Sequence, residues 1–305
     1  FCHHTLLLLL HCVSPPISFF SPPQSASYPF HHRLLSHQWN CFKGAVNDTV
    51  VRSAVDAMVS RKRTVGSEPT SLADLGYSTV GVDDGWQACG AGPKGSFHAS
   101  DGTPLVNQST FPDLKGLVDY SHKAGVGIGW YHINCICMDT YTLRDNATWA
   151  GLAWAGNVRQ LRDAGFDGVK IDNCGDDDGN GYVQMARHIN ASGRPLLLEN
   201  SNQAHGHGPP RGLPNDTDWC PFNMFRSGGD IGPDFGNTMA KLQTTIPFQG
   251  DPPISRPGCW AYPDMLEVGN FNTSPAALSL TESKTHFSAW CIVSSPLILG
   301  LDVTN

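Results

Sequence analysis

Hydrophobic residues from about position 38 onward fall into short runs that end in polar or glycine-rich turns. Most of these runs are separated by stretches in which apolar residues recur at helical spacing. A short, continuous apolar run bounded by turns is typical of a buried strand. The predicted strands are residues 37–42 (HQWNCF), 77–84, 125–133, 166–172, 194–200, 222–227, 258–262 and 295–301.

Helical periodicity fills most of the intervals between the predicted strands. In 47–63 the apolar positions lie on one helical face; they are Val51, Ala54, Val55, Met58 and Val59. Gly125 and Gly165 follow two such stretches at positions where a glycine commonly ends a helix. The predicted helices are 47–63, 111–125, 146–165, 181–192, 236–246 and 275–294.

Alternating strands and helices predict a parallel sheet covered by helices. Eight units over the region 38–305 match an α/β fold of the (β/α)8 TIM barrel type, which needs roughly 250 residues. The rival fold is a doubly wound sheet, but the glycine fingerprint of a dinucleotide-binding fold does not follow any predicted strand. Residues 1–37, rich in Ser, Pro and His, are interpreted as a non-core segment that is disordered or signal-like.

Composition narrows the possible partners. The 305 residues are 40% hydrophobic and 15% charged, which is enough apolar material for a large core. A net charge of −7 argues against nucleic acid or an acidic membrane surface as a partner. Because the sequence lacks an apolar run of roughly 18 residues, we predict no membrane-spanning helix.

Cysteines and glycosylation sequons indicate the secretory pathway, with a secreted or a lysosomal or vacuolar destination. The chain has 10 cysteines, many for a cytosolic protein. It also has N-x-S/T sequons at Asn47, Asn107, Asn146, Asn190, Asn215 and Asn272. The alternative for the cysteines is a zinc site, but spaced pairs of C-x-x-C motifs do not occur, so we predict no metal.

Acidic, aromatic and basic residues concentrate at the carboxyl ends of the predicted strands. In a (β/α)8 barrel these ends form the active-site face. Carboxylates accept hydrogen bonds from hydroxyl groups and indole rings pack on sugar rings, so the set predicts a carbohydrate site. Its members are Trp39, Asp83, Asp84, Trp86, Tyr131, His132, Lys170, Asp172, Glu199, Asn200, Arg226, Asp230, Trp260 and Asp264.

Two of the acids are candidates for the carboxyl pair that glycoside hydrolysis requires. Asp172 is the candidate nucleophile, and Lys170 lies on the same side of its strand and would keep it ionised. The alternative is a structural Lys–Asp ion pair. Asp230 is the candidate acid/base, because two preceding glycines would let the chain turn sharply and bring it inward. Its alternative is a residue that stabilises an Asx turn.

Several long motifs then identify a family resemblance. The segments DDGW, VKIDNCG, FRSGGDI, PGCWAYPDMLEVGN and HFSAWCIVSSPLILGLD resemble the α-galactosidase/α-N-acetylgalactosaminidase (melibiase) family of retaining glycosidases. The resemblance implies a catalytic (β/α)8 barrel without a cofactor that cleaves terminal α-linked galactosides, with Asp172 as nucleophile and Asp230 as acid/base. The substrate-binding residues that it implies are Trp39, Asp83, Asp84, Trp86, Tyr131, Lys170, Glu199, Arg226, Asp264 and Met265.

The same resemblance implies how cysteines pair. Cys174 would bridge to the loop after the third strand, where Cys135 and Cys137 are both possible partners. Cys41 and Cys89 would form a second bridge between the first and second loops. A further pair, Cys220 with Cys259, is a hypothesis that the family pattern does not supply; these two cysteines shortly precede the motifs that hold Asp230 and Asp264.

Differences from the family pattern leave alternatives open. The third strand reads GIGWYHIN, so Trp130 or Tyr131 would replace the family's tyrosine. Glu199 favours galactose, because members that prefer the N-acetyl sugar carry small residues there; α-N-acetylgalactosaminidase, β-L-arabinopyranosidase and a non-catalytic sugar-binding barrel remain alternatives. The family also has a C-terminal β-sandwich domain, so we expect a barrel truncated near its C-terminal end, without that domain.

Overall fold

The structure is a computed structural model, and it describes most of the chain from residue 34 onward. The described residues are 34–37, 39–133, 136–139, 146–172, 180–201, 220–251, 253–269 and 278–304. The predicted non-core segment before residue 34 therefore lies outside the described residues, as do Cys135 and Cys174.

Eight parallel strands form one sheet in the described part of the chain. Strands β1 to β7 are hydrogen-bonded side by side in chain order, and β8 pairs with the free side of β1. The strands are β1 Leu34–His37, β2 Tyr77–Gly81, β3 Gly127–Ile133, β4 Gly168–Asp172, β5 Leu197–Asn200, β6 Met224–Arg226, β7 Trp260–Tyr262 and β8 Ile298–Leu299.

The sheet closes through a segment that follows β7. The backbone N–H of Leu266 donates to the carbonyl of Ile298 at 2.7 Å, and the N–H of Gly300 donates to the carbonyl of Leu266 at 3.0 Å. These bonds join the β7 side of the sheet to β8, which already pairs with β1. The closed parallel sheet confirms the predicted (β/α)8 barrel.

Helices follow most of the strands and cover the outside of the sheet. They are α1 Trp39–Phe42, α2 Asp48–Val59, α3 Leu114–Lys123, α4 Ala147–Ala164, α5 Asn180–Ala191, α6 Phe235–Gln243 and α7 Leu280–Ile292. Each predicted helical interval overlaps one of the helices α2 to α7, although α5 and α6 each begin one residue before the predicted start. Gly125 and Gly165 have φ values of 77° and 90°, so both act at helix ends as predicted.

The first strand is the one element that the sequence placed wrongly. The predicted strand 37–42 is instead largely the short helix α1, and the strand that belongs to the barrel lies just before it, at Leu34–His37. These residues were assigned to the non-core segment because the surrounding Ser, Pro and His residues hide the short apolar run. The sheet therefore begins before the predicted domain boundary at residue 38.

Alternation along the strands divides the core into an outer and an inner part. Val169 and Ile171 of β4 belong to the large apolar cluster between sheet and helices. A small inner cluster consists of Met224, Tyr262, Met265 and Ile298. Among the described residues, none of the helices is long and apolar enough to cross a membrane.

Candidate active site

Inward-facing polar residues of neighbouring strands lie at the same level of the barrel. Tyr131 on β3 is in register with Lys170 on β4, which is in register with Glu199 on β5. All three side chains are at least nine-tenths buried. Asp172, two residues beyond Lys170 on the same face, is half-buried at the carboxyl end of β4. The predicted polar rim is thus a layered set of side chains inside the barrel mouth.

The Asp172 carboxylate is held by hydroxyl donors on both of its oxygens. Tyr131 Oη donates to Oδ2 at 3.0 Å, and Ser201 Oγ donates to Oδ1 at 2.8 Å. These two hydrogen bonds fix the orientation of the carboxylate. Of the two candidates for the family's tyrosine, Tyr131 thus contacts Asp172, whereas Trp130 is buried on the outer side against Trp86 and Phe166.

Ser201 was missed by the sequence analysis. It follows β5 directly and lies two residues after Glu199, so strand alternation applied one step further would have placed it on the inner face.

Lys170 makes its direct ion pair with Asp83 rather than with Asp172. Its Nζ donates to Asp83 Oδ2 at 2.8 Å, and both side chains are buried. Burial by itself would lower the pKa of Lys170, but the negative charges of Asp83, Asp172 and Glu199 outweigh it and raise the pKa. Asp172 thus acts on Lys170 through its charge, and the lysine remains a cation in the barrel interior.

Asp84 follows Asp83 at the rim and is less enclosed. Its Oδ1 accepts the N–H of Gly85 at 2.9 Å. Burial raises the pKa of the Asp84 carboxyl, and the charges of Asp83 and Asp172 raise it further, against the hydrogen bonds from Gly85 and Gln87. The two neighbouring acids therefore differ in their surroundings, since within the described part of the chain Asp83 pairs with a buried cation and Asp84 does not.

Asp230, the second candidate acid, lies on the loop after β6 and its side chain is 82% exposed. Its Oδ1 is 2.7 Å from an Nη of the buried Arg226, and the same guanidinium nitrogen is 3.6 Å from Asp264 Oδ2. Burial opposes the charge of Arg226, but Asp264, Tyr262, Asp230 and Asp172 outweigh it and raise the pKa of the guanidinium. Arg226 thus interacts electrostatically with both candidate catalytic acids.

Close packing, not an unusual turn, explains one of the glycines before Asp230. Neither Gly228 nor Gly229 has a positive φ, so the sharp turn predicted from their flexibility is not what they provide. A β-carbon on Gly228 would lie 2.7 Å from Thr244 Cγ2 and 2.8 Å from Thr244 Oγ1. Gly228 therefore lets the loop that bears Asp230 lie against the end of α6.

Asp264 fastens that loop from the other side. It is buried, its Oδ2 accepts the N–H of Ile231 at 2.7 Å, and its Oδ1 accepts the N–H of Met265 at 2.7 Å. Burial raises the pKa of its carboxyl, while the charges of Arg226 and Lys170 oppose this. Its φ of 152° is rare for a residue with a side chain, and such strain concentrates at functional sites.

Apolar side chains complete one wall of the barrel mouth. Met265 belongs to the inner cluster, and the half-buried Trp39 packs against this cluster. This agrees with a role of Trp39 and Met265 as an apolar surface.

Trp86, by contrast, is not at the surface of the site. Its side chain is fully buried, its Nε1 donates to the Tyr131 carbonyl at 2.9 Å, and its ring contacts Phe97 and His132. Trp86 therefore packs against residues of β3, and this differs from the predicted contact with the substrate.

Glu199 has a partner that the sequence analysis did not identify. Tyr262 Oη donates a short hydrogen bond to Glu199 Oε1, and both residues are buried. Tyr262 ends β7 two residues after Trp260, so the alternation of side chains places it on the same face as that rim residue.

The disulfides confirm one predicted pair and overturn another. Cys220 and Cys259 are bonded as predicted. Cys89 is bonded to Cys137, so the predicted Cys41–Cys89 bridge is wrong, and Cys137 is excluded as the partner of Cys174. Cys41 instead lies with its Sγ 3.6 Å from the carbonyl of Gly300. The predicted Cys41–Cys89 bridge assumed the family's cysteine position, which is Gly85 in this chain. Cys89 lies four residues further on and instead meets Cys137 in the loop after β3.

In the described part of the chain, there is no group of three or more His, Cys, Asp or Glu side chains that could hold a metal ion.

Comparison with known proteins gives a consistent match. Residues 50–305 match the Melibiase_2 family model, described as Alpha galactosidase A. The chain is 28% identical to an alpha-galactosidase of Oryza sativa subsp. japonica, over 88% of this chain and 57% of the relative. It is 30% identical to alpha-galactosidase 2 of Arabidopsis thaliana, over 88% of this chain and 60% of the relative.

A solved structure supports the fold. A putative alpha-galactosidase from Bacteroides fragilis superposes with a TM-score of 0.71 at 24% identity, covering 89% of this chain and 55% of that one. The chain thus spans less than two thirds of the length of these relatives.

Proposed function

The chain belongs to the Melibiase_2 family, described as Alpha galactosidase A, and on that premise we propose that it is the catalytic barrel of a retaining glycosidase. The proposed reaction releases terminal α-linked galactose from small galactosides or oligosaccharides. The proposed catalytic domain runs from residue 38 to 305 and is extended at its start by β1.

One observation carries the proposal. Asp172 is held by two hydroxyl donors at the barrel mouth, while Asp230 lies on an exposed loop, and the buried Arg226 interacts with both carboxylates. The charges of both carboxylates act on one buried cation, which supports their pairing at one site, and glycoside hydrolysis uses two carboxyl groups that flank the scissile bond. A purely structural ion pair would not require Asp230 to remain 82% exposed.

In the first step Asp172 attacks the anomeric carbon and forms the glycosyl–enzyme bond, while Asp230 gives its proton to the leaving oxygen. In the second step Asp230 takes a proton from water, the water oxygen bonds to the anomeric carbon, and Asp172 leaves. Tyr131 and Ser201 keep the attacking carboxylate oriented in both steps. Retaining chemistry requires the two carboxyl groups to be about 5–5.5 Å apart.

The other side chains at the barrel mouth are proposed to recognise the sugar. Asp83 and Asp84 accept hydrogen bonds from sugar hydroxyls, and Lys170 and Arg226 donate to sugar oxygens. Trp39 and Met265 pack on the apolar face of the ring, and Glu199 accepts a hydroxyl at the carbon beside the anomeric centre. The buried charge of Glu199 supports a substrate with a free hydroxyl there, as in galactose.

The test uses an aryl α-galactoside with the wild type, Asp172→Asn, Asp230→Asn and the control Asp119→Asn. Asp119 is an exposed acid on α3 that pairs with Lys115, so its substitution should leave activity unchanged. Loss of at least 1,000-fold is expected for Asp172→Asn, on the order of the 10³ or more that removal of a nucleophile costs. Activity that survives this substitution would refute the nucleophile assignment.

Two further measurements test the retaining mechanism. NMR of the first-formed sugar should show the α-anomer, because two inversions retain configuration. With Asp172→Gly, added azide should attack the anomeric carbon once and give the β-galactosyl azide. An initial β-anomer from the wild type would contradict the two-step mechanism.

A secretory location is part of the proposal. The Cys89–Cys137 and Cys220–Cys259 disulfides and the exposed sequon at Asn190 support it, because stable disulfides and N-glycans belong to oxidising compartments. The protein purified from eukaryotic cells should shift in electrophoretic mobility after treatment with an N-glycan-cleaving amidase. Complete absence of glycan would count against this location.

A further inference from the structure

Tyr262 reaches across the inside of the barrel to a residue two strands away. It ends β7, while Glu199 is on β5, with β6 between them. Tyr262 and Glu199 are 1% and 3% exposed, and the phenol donates to Glu199 Oε1. The ring is surrounded by Met224, Met265 and Ile298 of the inner cluster. Its hydroxyl group is thus the polar end of an otherwise apolar side chain.

The charges around this contact determine which group donates the hydrogen bond. Tyr262 is in register with Arg226, and the charge of Glu199 also acts on Lys170. Burial, followed by the negative charge of Glu199, raises the pKa of the Tyr262 phenol far above its usual range. The phenol is therefore a neutral O–H donor and Glu199 the acceptor.

Without the hydroxyl of Tyr262 the Glu199 carboxylate could adopt other orientations. The side chain rotates about three bonds, and its negative charge also acts on the buried cation Lys170. A carboxylate drawn toward Lys170 would present a different oxygen geometry to a bound sugar. The hydrogen bond from this rigid aromatic side chain favours one orientation of the carboxylate, because Tyr262 is itself packed on all sides.

We infer that Tyr262 is a positioning residue for Glu199, and that it thereby determines the preference of the site for a free hydroxyl at the carbon beside the anomeric centre. The inference rests on the proposed function, in which Glu199 accepts that hydroxyl. Tyr262 acts through Glu199 and does not itself contact the sugar at this position.

The test compares wild type, Tyr262→Phe and Tyr77→Phe on an aryl α-galactoside and its 2-deoxy analogue. Tyr262→Phe keeps the ring in the inner cluster and removes only the O–H. Tyr77→Phe is the matched control: Tyr77 is also fully buried, at the start of β2, and its hydroxyl has no hydrogen-bond partner among the described residues.

Tyr262→Phe should lower kcat/KM for the galactoside by roughly 10-fold, the effect of one hydrogen bond to a charged group. The 2-deoxy analogue should change by less than about twofold, since it lacks the hydroxyl that Glu199 recognises. Tyr77→Phe should leave the ratio of the two substrates unchanged. Equal losses on both substrates with Tyr262→Phe, or no loss on either, would overturn the inference.

A binding experiment separates this inference from the proposed reaction. Calorimetry should show that the wild type binds galactose more tightly than 2-deoxygalactose, and that Tyr262→Phe loses this preference. If the wild type hydrolyses no galactoside, the proposed reaction fails, yet this loss of preference still supports the role of Tyr262. A wild type without the preference, or a variant that keeps it, contradicts that role.

Discussion

Lys170 and Asp83 form a buried ion pair of 2.8 Å that joins the carboxyl end of β4 to the chain just beyond β2, across the intervening β3. The lysine is 7% exposed and the aspartate 5%. Both charges are out of water, so the energy of each depends strongly on its charged neighbours, which for Lys170 include Asp172 and Glu199 as well as Asp83.

Lys170→Met should destabilise the protein by about 3–5 kcal/mol, since the buried Asp83 would lose the cation that pairs with it. The control Lys115→Met breaks the pair with Asp119, whose side chains are 65% and 60% exposed, and should cost less than about 1 kcal/mol. Urea unfolding followed by circular dichroism measures both. Similar small losses in the free energy of unfolding for the two variants would mean that the buried pair stabilises the protein no more than the exposed pair does.

The position of the loop after β6 gives a second prediction. Gly228→Ala places a carbon 2.7 Å from Thr244 Cγ2, so the loop that bears Asp230 must shift. In Gly229→Ala the new carbon would meet, among the atoms of the described residues, only Lys241 Nζ at 3.4 Å, and this flexible end can move aside. We expect Gly228→Ala to lower kcat by about 10- to 100-fold, as a misplacement of about 1 Å does.

Gly229→Ala should keep near-normal activity in the same assay, and both variants should retain the circular dichroism of the wild type. A Gly229→Ala variant as impaired as Gly228→Ala would show that the turn, not the packing against Thr244, is what requires glycine.

His286 on α7 gives a prediction on pH. Burial lowers its pKa from 6.5 to about 3, and its Nε2 accepts the N–H of Glu267 at 3.0 Å. The unfolded chain binds a proton here below pH 6.5 while the folded chain stays neutral down to about pH 3. Stability is therefore unaffected by this group above pH 6.5 and falls as the pH decreases from 6.5 toward 3.

His286→Gln keeps an acceptor for the Glu267 N–H but does not titrate. The free energy of unfolding of the wild type should therefore fall more steeply between pH 6 and 4, by roughly 1.4 kcal/mol per pH unit relative to the variant. Urea titrations at several pH values give the two slopes. Parallel slopes would exclude His286 as a source of acid sensitivity.

The two described disulfides should differ in what they do for activity. Each closes a loop of similar length, 48 residues for Cys89–Cys137 and 39 for Cys220–Cys259, so replacing either pair by serine should cost about 2–4 kcal/mol. Cys137 lies in the loop that follows β3, close in sequence to Tyr131, which orients Asp172.

We therefore expect Cys89→Ser/Cys137→Ser to lower kcat in addition to stability. Thermal unfolding and initial rates at a temperature where both variants stay folded make the comparison. Equal kcat values for the two double variants would show that the Cys89–Cys137 bridge has no influence on the site.

Local patterns were sufficient for most of the barrel. The buried runs around Val80, Ile128 and Ile171 are long and apolar, and each forms a strand at the predicted place. The strand Leu34–His37 was not predicted, because four residues are too few to show a periodic pattern. Its partners β2 and β8 are also distant in the sequence. Its existence depends on tertiary pairing, which a local pattern does not contain.

In the site, too, local patterns predict which residues face inward but not which side chains contact each other. Asp172, Lys170 and Glu199 follow from alternation at strand ends, because a residue's face is a local property. Which side chains touch is not local: Lys170 meets Asp83, Tyr262 meets Glu199 and Cys89 meets Cys137. These contacts join different strands or loops, and their distances depend on strand register and barrel curvature.

The closure of the sheet by β8 has a consequence for synthesis of the chain. β1 pairs with β2 on one side and with β8 on the other. At roughly 5–20 residues per second, a ribosome needs on the order of 10–50 s to proceed from β1 to β8. During that interval one backbone edge of β1 has only water or foreign strands to bind, and an unpaired edge is a template for wrong pairing. Residues 298–299 occupy that edge once they have been made, so we expect the barrel to close only after β8 has been synthesised.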